Sequence, residues 1–136
     1  MISHKKTLTR YRVIYGDTDQ MGVVYYANYL RWFELGRTEW LREMGFPYTT
    51  VEQTGLRFPV TQVSCEYRRP ARYDDEVIIE TVLLSLGRAS LVFRYKVYRG
   101  EAHDLLAEGE TTHACVNESG RITRISASLR SALCAE

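Results

Sequence analysis

The chain has 136 residues, 45% hydrophobic and 26% charged, with a formal net charge of +1. This length predicts one domain over residues 1–136, because two halves could each barely bury a core. The small net charge argues against a nucleic-acid-binding face, and no apolar run approaches the roughly 18–20 residues of a membrane-spanning helix.

Residues 7–15 alternate in hydrophobicity and are rich in β-branched and aromatic side chains, which predicts a strand. A polar loop follows at residues 16–22. From about residue 26 to residue 44, apolar side chains recur at three- and four-residue steps, which predicts one long helix. Gly36 lowers helix propensity in the middle of this segment, and we expect it to let the helix approach a neighbouring backbone closely.

The remainder of the chain is strand-like after a loop predicted at residues 49–55. Strands are predicted at residues 56–67, 76–86, 91–97 and 103–116. A one-residue phase slip at Thr61 and Gln62 indicates a β-bulge in the first of these strands. In the last strand, small residues such as Ala107 and Gly109 leave room for a helix to lie on it. A short helix is predicted at residues 126–134.

One strand, one long helix and four further strands joined by short turns predict a two-layer α+β domain with an antiparallel sheet. One helix cannot cover both faces of such a sheet. We therefore expect a homodimer whose sheets join edge to edge, or a dimer-of-dimers tetramer.

Most of the chemistry-bearing residues lie in the stretch 15–29, which reads Y-G-D-T-D-Q-M-G-V-V-Y-Y-A-N-Y. Two carboxylates, Asp17 and Asp19, stand one residue apart just ahead of the helix start, where unpaired backbone N–H groups point forward. A carboxylate facing such donors can attack a carbonyl or activate a water molecule. The N–H groups can then hold the oxyanion that forms.

This stretch resembles the signature of the 4-hydroxybenzoyl-CoA thioesterase family, one branch of the hotdog-fold acyl-CoA thioesterases. The matching residues are Asp17, Asp19, Gly22, Val23, Val24, Tyr25, Tyr26 and Tyr29. The resemblance continues at Phe33-Glu34, Arg37-Thr38-Glu39 and Tyr73-Asp74-Asp75. It implies a hotdog fold, in which an antiparallel sheet of about five strands wraps around one long central helix.

The resemblance also implies an acyl-CoA thioesterase that releases a small acyl or aroyl acid from CoA. Asp19 matches the catalytic carboxylate, acting as nucleophile or as general base, and the Tyr26 backbone N–H matches the oxyanion donor. Asp17 is expected to hold the turn that aims Asp19. Many members of the acyl-CoA branch carry histidine where this chain has Tyr26, so aromatic and aliphatic substrates both stay open.

The substrate is expected to contact residues from several elements. For the acyl pocket, these are Val24, Tyr25 and Tyr29 near the helix start, and Thr61 to Val63 near the phase slip, completed by a partner subunit. The CoA phosphates call for cations, and arginine forms the better fork for phosphate. Arg88 is the position that the resemblance favours. The other candidates are Arg69, Arg72, Arg121 and Arg124.

The sequence predicts neither a metal site nor a cofactor. The three histidines share no metal-ligand spacing, and His113 with Cys115 is too small a set to hold an ion. Three widely spaced cysteines and an N-terminus without an apolar stretch predict reduced thiols in the cytoplasm. The rival hypothesis is a non-catalytic hotdog module that binds an acyl-CoA-like ligand.

Overall fold

The computed structural model describes residues 2–100 and 104–135. The strands are β1 (Lys6–Arg12), β2 (Val60–Tyr67), β3 (Glu76–Leu86), β4 (Ser90–Arg99) and β5 (Asp104–Ala114). The helices are α1 (Asn28–Glu43), α2 (Tyr48–Gln53) and α3 (Ala127–Cys134). No helix in these two ranges is long and apolar enough to cross a membrane.

The five strands form one antiparallel sheet in the order β1-β3-β4-β5-β2. Helix α1 packs across one face of this sheet, with Trp32, Phe33 and Trp40 buried beneath it. The Phe33 ring stacks on Tyr95 of β4 at 4.3 Å between ring centroids. The fold is therefore the predicted α+β arrangement of one long helix against a five-stranded antiparallel sheet, which is the hotdog fold.

Two glycines allow the close contact between α1 and the sheet. A Cβ added at Gly36 would overlap the Thr81 hydroxyl and lie 2.9 Å from a methyl carbon of Ile79. The close approach predicted at Gly36 is found, but the prediction that it is made to a neighbouring backbone is wrong, because the atoms approached belong to β3 side chains. On the sheet side, a Cβ at Gly109 would lie 2.9 Å from the Phe33 ring, as the small residues of β5 predict.

Two parts of the chain differ from the sequence-based expectation. The first strand ends at Arg12, and residues Tyr15–Asp17 form a 3₁₀ turn whose Asp17 side chain accepts from the Ile14 N–H at 3.0 Å. The loop predicted at 49–55 is wrong, because α2 occupies most of it and buries Val51. His103, the first residue of the predicted last strand, lies outside the described residues.

Strand β2 forms an open edge of the sheet, and its register against β5 shifts between Val60 and Gln62. The bulge predicted from the phase slip is thereby confirmed. The side chains of Val60, Val63 and Tyr67 remain 44–46% exposed along this edge. All three cysteines are free thiols. The cytoplasmic location stays a prediction.

Candidate active site

Asp19 begins a tight turn between β1 and α1. Its N–H donates to the Val23 carbonyl at 2.9 Å, and its own carbonyl accepts from the Gly22 N–H at 3.0 Å. Gly22 has a φ of +78°, a left-handed conformation that side chains disfavour. The Asp19 Oδ1 accepts from the Met21 N–H at 2.9 Å. Its Oδ2 has no hydrogen-bond partner among the described residues, so one carboxylate oxygen is available for chemistry.

Asp17 has a different environment, because its side chain is buried and used by the fold. Its Oδ2 accepts from the Tyr11 hydroxyl at 2.7 Å and from the Ile14 N–H at 3.0 Å. Its Oδ1 accepts from Arg31 at 3.2 Å. The Asp17 backbone carbonyl accepts from the Asn28 side chain at 2.8 Å. Asp17 thus ties β1, the turn and the start of α1 together, in agreement with the structural role expected for it.

These two environments predict different costs of removing the two carboxylates. We expect Asp17→Ala to lower the free energy of unfolding by about 3 kcal/mol, because the Tyr11 hydroxyl, the Ile14 N–H and Arg31 all lose the buried carboxylate that accepts from them. Asp19→Ala is the matched control, with an expected loss below about 1 kcal/mol, since it removes one hydrogen bond at a partly exposed turn. Urea unfolding of both variants measures the difference. Equal losses would mean that Asp17 does not anchor the loop.

The peptide group that carries the Tyr26 N–H is held on both sides. The preceding carbonyl, of Tyr25, accepts from the Asn28 N–H at 2.9 Å, and the Tyr25 N–H donates to the Asp17 carbonyl at 2.8 Å. The Tyr26 carbonyl accepts from the Tyr67 hydroxyl at 2.9 Å. Within residues 2–100 and 104–135 the Tyr26 N–H itself donates to no acceptor. It is a fixed, unpaired donor two residues before the first residue of α1.

The phenols of Tyr67 and Tyr25, beside this donor, keep their protons. Burial raises the pKa of Tyr67, so its hydroxyl remains a donor to the Tyr26 carbonyl. The Tyr26 hydroxyl raises the pKa of the neighbouring Tyr25, and the negative charge of Asp19 adds to that rise. Sequence reasoning did not identify Tyr67, because nothing in β2 indicates a contact with the start of α1.

A cleft of about 280 Å³ opens beside the start of α1. Its lining residues are Val23, Val24, Tyr26, Tyr29, Tyr67, Arg68, Arg69 and Pro70. Val24 and Tyr29, two of the residues expected for the acyl pocket, are buried behind this cleft. Tyr25 lies beside it, with its ring 4.8 Å from that of Tyr26. Thr61 and Val63 do not line the cleft, since they stand further along β2.

Arg88 lies in a different part of the molecule, in a group of three arginines with Arg124 and Arg130. Arg130 donates to the Gly87 carbonyl at 2.7 Å, which fixes it against the β3–β4 turn. The surface between them encloses about 350 Å³ and contains no acidic side chain. Arg130 was not among the sequence candidates, because only α3 packing brings it to this turn. The arrangement is a concentrated positive patch suited to phosphate.

The histidine and cysteine considered as a metal pair form no such site. His113 is buried, with its ring nitrogens 3.0 Å from the Phe58 carbonyl and 2.8 Å from the Thr111 hydroxyl. The part of the chain that the structure describes contains no cluster of three or more possible metal ligands.

Known proteins resemble this chain in sequence and in fold. The chain is 40% identical over 106 residues to "Acyl-CoA thioester hydrolase YbgC" of Escherichia coli O6:H1, covering 78% of each chain. A crystal structure of the protein TT1821 from Thermus thermophilus superposes with a TM-score of 0.88 at 40% identity, covering 95% of both chains. The chain also superposes with a TM-score of 0.84 on the crystal structure of an Asp-to-Asn mutant of 4-hydroxybenzoyl-CoA thioesterase in complex with 4-hydroxybenzoyl-CoA. The two sequences are 26% identical, and the match covers 96% of this chain and 99% of that one.

The family itself is shown by a match that covers nearly the whole domain. The sequence model of the thioesterase-like superfamily matches residues 13–133, from the end of the first strand into the last helix. Both the turn that carries Asp19 and the arginine group lie within that range. The resemblance seen in the sequence is confirmed, and the chain belongs to the thioesterase-like superfamily of hotdog-fold thioesterases.

Proposed function

We propose that this protein hydrolyses a small acyl- or aroyl-CoA thioester to the free acid and CoA. The Asp19 carboxylate acts as nucleophile or general base, and the Tyr26 N–H stabilises the oxyanion. The observation that carries the proposal is the pairing of a carboxylate oxygen without a partner and a backbone donor without an acceptor on one locked loop. The names of the relatives, acyl-CoA and 4-hydroxybenzoyl-CoA thioesterases, support the same substrate class.

The chemistry needs few groups because the leaving group is a good one. A thiol has a pKa near 8.5, so the thiolate departs at neutral pH without a strong general acid. As nucleophile, Asp19 forms a mixed anhydride and expels CoA thiolate, and water then releases the acid. As base, Asp19 takes a proton from water, which attacks the carbonyl directly. In both routes the Tyr26 N–H holds the negative charge that develops on the carbonyl oxygen.

The reacting groups and the phosphate-binding patch lie at opposite ends of the sheet in one chain. Val13 donates to the carbonyl of Asp75, just before β3 begins, so the Asp19 turn lies at that end. Arg88 follows the other end of β3, which is 11 residues long. At the usual rise per residue the two ends are about 30 Å apart. This exceeds the reach of a pantetheine arm, so one CoA molecule cannot contact both groups of the same chain.

A second copy of the chain resolves this separation. Strand β2 is an exposed edge with a single charged residue, Glu66, whereas the other edge strand, β1, carries Lys6, Arg10 and Arg12. Charged edges discourage strand pairing, so β2 is the edge available to a partner. A two-fold axis across β2 pairs the Val60 end of one copy with the Tyr67 end of the other.

This homodimer assembles a composite site. Tyr67 contacts Tyr26, so the reacting end of one copy meets the beginning of β2 in the other. Thr61 and Val63 of the second copy then complete the acyl pocket, in the role expected from the sequence. Leu91 pairs with His113, and His113 with Val60, so the β3–β4 turn with Arg88 lies at that same end. Arg88, Arg124 and Arg130 of the second copy bind the CoA phosphates.

Mixed dimers test this assembly. An Asp19→Asn chain is combined with an Arg88→Ala/Arg124→Ala chain, with substrate held below KM. Each mixed dimer contains one fully intact composite site, so an equimolar mixture should recover about a quarter of wild-type activity. If each chain supplied both groups of its own site, mixing would recover nothing. That result would contradict the proposal that two chains form each site.

The activity itself is tested with a panel of acyl- and aroyl-CoA thioesters. Release of free CoA thiol is followed for aliphatic chains of increasing length and for hydroxylated aromatic acyl groups. We expect turnover of at least one member, and the ranking gives the acyl preference. Binding of panel members without hydrolysis of any would contradict the proposal and favour the non-catalytic binding module.

A further inference from the structure

A second cavity, of about 240 Å³, lies between the sheet and the three helices. Its walls come from the C-terminal half of α1, from α2 and α3, and from β4 and β5. None of the residues around Asp19 or Tyr26 lines it. The apolar walls are the buried side chains of Leu41, Val51, Leu91, Phe93, Leu129 and Leu133. The cavity is also lined by the polar side chains of Glu34, Arg37, Thr38, Tyr48 and His113.

One cation, Arg37 of α1, lines this cavity. Its side chain is only 19% exposed, and its nearest carboxylate, that of Glu34, is 4.0 Å away. The Glu34 side chain is 71% exposed, so solvent screens that ion pair. A cation that is largely removed from water is costly unless an anion compensates it. Among the described residues, Arg37 meets this exposed carboxylate, which lines the same cavity, and the neutral Tyr95 hydroxyl.

The wall holds three further ionisable side chains, those of Glu34, Tyr48 and His113, and the histidine cannot compensate Arg37. Burial lowers the pKa of His113, and the nearby Arg37 charge lowers it further, against the opposing effect of the Phe58 carbonyl. Its ring is neutral near pH 7, and both ring nitrogens are already in hydrogen bonds. The cavity thus combines an apolar part of its wall with one cation that is largely removed from water.

We propose that this cavity binds a carboxylic acid with a compact apolar body, its hydrocarbon in the interior and its carboxylate on Arg37. A planar guanidinium offers paired donors that match the two oxygens of a carboxylate. An apolar cavity of about 150 Å³ holds a benzene molecule, so 240 Å³ accommodates about nine or ten non-hydrogen atoms. Octanoate has this size.

The ligand belongs to the same chemical class as the acid that the proposed reaction releases. Its binding, however, uses neither Asp19 nor Tyr26. The Asp19→Asn variant is therefore expected to bind the acid as wild type does. A result that excludes the catalytic role of Asp19 would therefore not bear on acid binding in this cavity. A result that excludes acid binding in this cavity would likewise not bear on the catalytic proposal.

The direct test is a titration of the wild-type protein with octanoate, followed by methyl NMR. We expect saturable binding, with the largest shifts at the methyl groups of Val51, Leu129 and Leu133. The neutral alcohol 1-octanol should bind at least tenfold more weakly, because it offers no charge to Arg37. Absence of saturation, or shifts confined to other methyl groups, would overturn the proposal.

Variants of Arg37 test the carboxylate contact separately. Arg37→Gln should weaken octanoate binding at least tenfold and leave 1-octanol binding nearly unchanged, and Arg37→Lys should retain part of the preference for the acid. Arg42→Gln is the matched control, because Arg42 lies on the same helix but pairs with Glu39 at the surface. Octanoate affinity that does not change in Arg37→Gln would contradict the proposed contact. The methyl shifts of the wild type decide the location even if a variant folds poorly.

Discussion

Asp19→Asn is expected to lower kcat for thioester hydrolysis by at least about a hundredfold, with substrate binding retained. The amide keeps the shape of the side chain and can still accept from the Met21 N–H, so the turn is preserved. It can neither attack a carbonyl nor take a proton from water. Steady-state hydrolysis of the best thioester from the panel, with calorimetric titration of the same compound, separates turnover from binding.

The matched control for this substitution is Asp74→Asn. Asp74 has a φ of +68°, a conformation that asparagine adopts as readily as aspartate. Among the described residues, only its backbone carbonyl accepts a hydrogen bond, from Arg12 at 2.7 Å. We expect its turnover to remain within about twofold of wild type. Wild-type turnover in Asp19→Asn would remove this residue from the mechanism.

Gly109→Ala is expected to destabilise the fold by about 3 kcal/mol or more, the largest stability effect that we predict. The added methyl group would overlap the Ser64 carbonyl oxygen of β2 and press on the Phe33 ring of α1. A backbone carbonyl in a ladder cannot move away as a flexible side chain can. The strand pair, the helix or both must therefore shift.

Gly16→Ala is the control for that prediction. Apart from the two chain neighbours of Gly16, no described residue has an atom within 4 Å of a Cβ built there, and the Gly16 φ is not positive. We expect a change below about 0.5 kcal/mol in the free energy of unfolding. Denaturant unfolding of the two variants measures the contrast. A loss below 1 kcal/mol in Gly109→Ala would show that α1 does not depend on the absence of a side chain at this position.

The sequence predicted best those elements in which the periodic hydrophobic positions are also the positions buried in the structure. The alternation of Leu91, Phe93, Tyr95 and Val97 corresponds to four buried positions of β4, and the phase slip near Thr61 corresponds to the bulge in β2. Helix α2 was missed because its six residues form too short a segment to show a period. Val51, its buried residue, is fixed there by tertiary packing and not by helix propensity.

The local part of the candidate site could be anticipated from the sequence, but its distant part could not. The structural role expected for Asp17 and the catalytic role expected for Asp19 follow from a motif contained in about a dozen residues. Tyr67 and Arg130 approach the site residues only because strands and helices distant in sequence pack together. The cavity at Arg37 has the same origin, since three helices and two strands must meet before its walls exist.

The most direct measurement is a crystal structure of the Asp19→Asn variant with a bound acyl-CoA thioester. We predict the thioester carbonyl oxygen about 3 Å from the Tyr26 nitrogen, the distance of an oxyanion hydrogen bond. The carbonyl carbon should face the side chain at position 19, and the CoA phosphates should lie on the arginines of the second chain. A thioester bound away from the Tyr26 N–H, with residue 19 facing solvent or protein, would contradict the account.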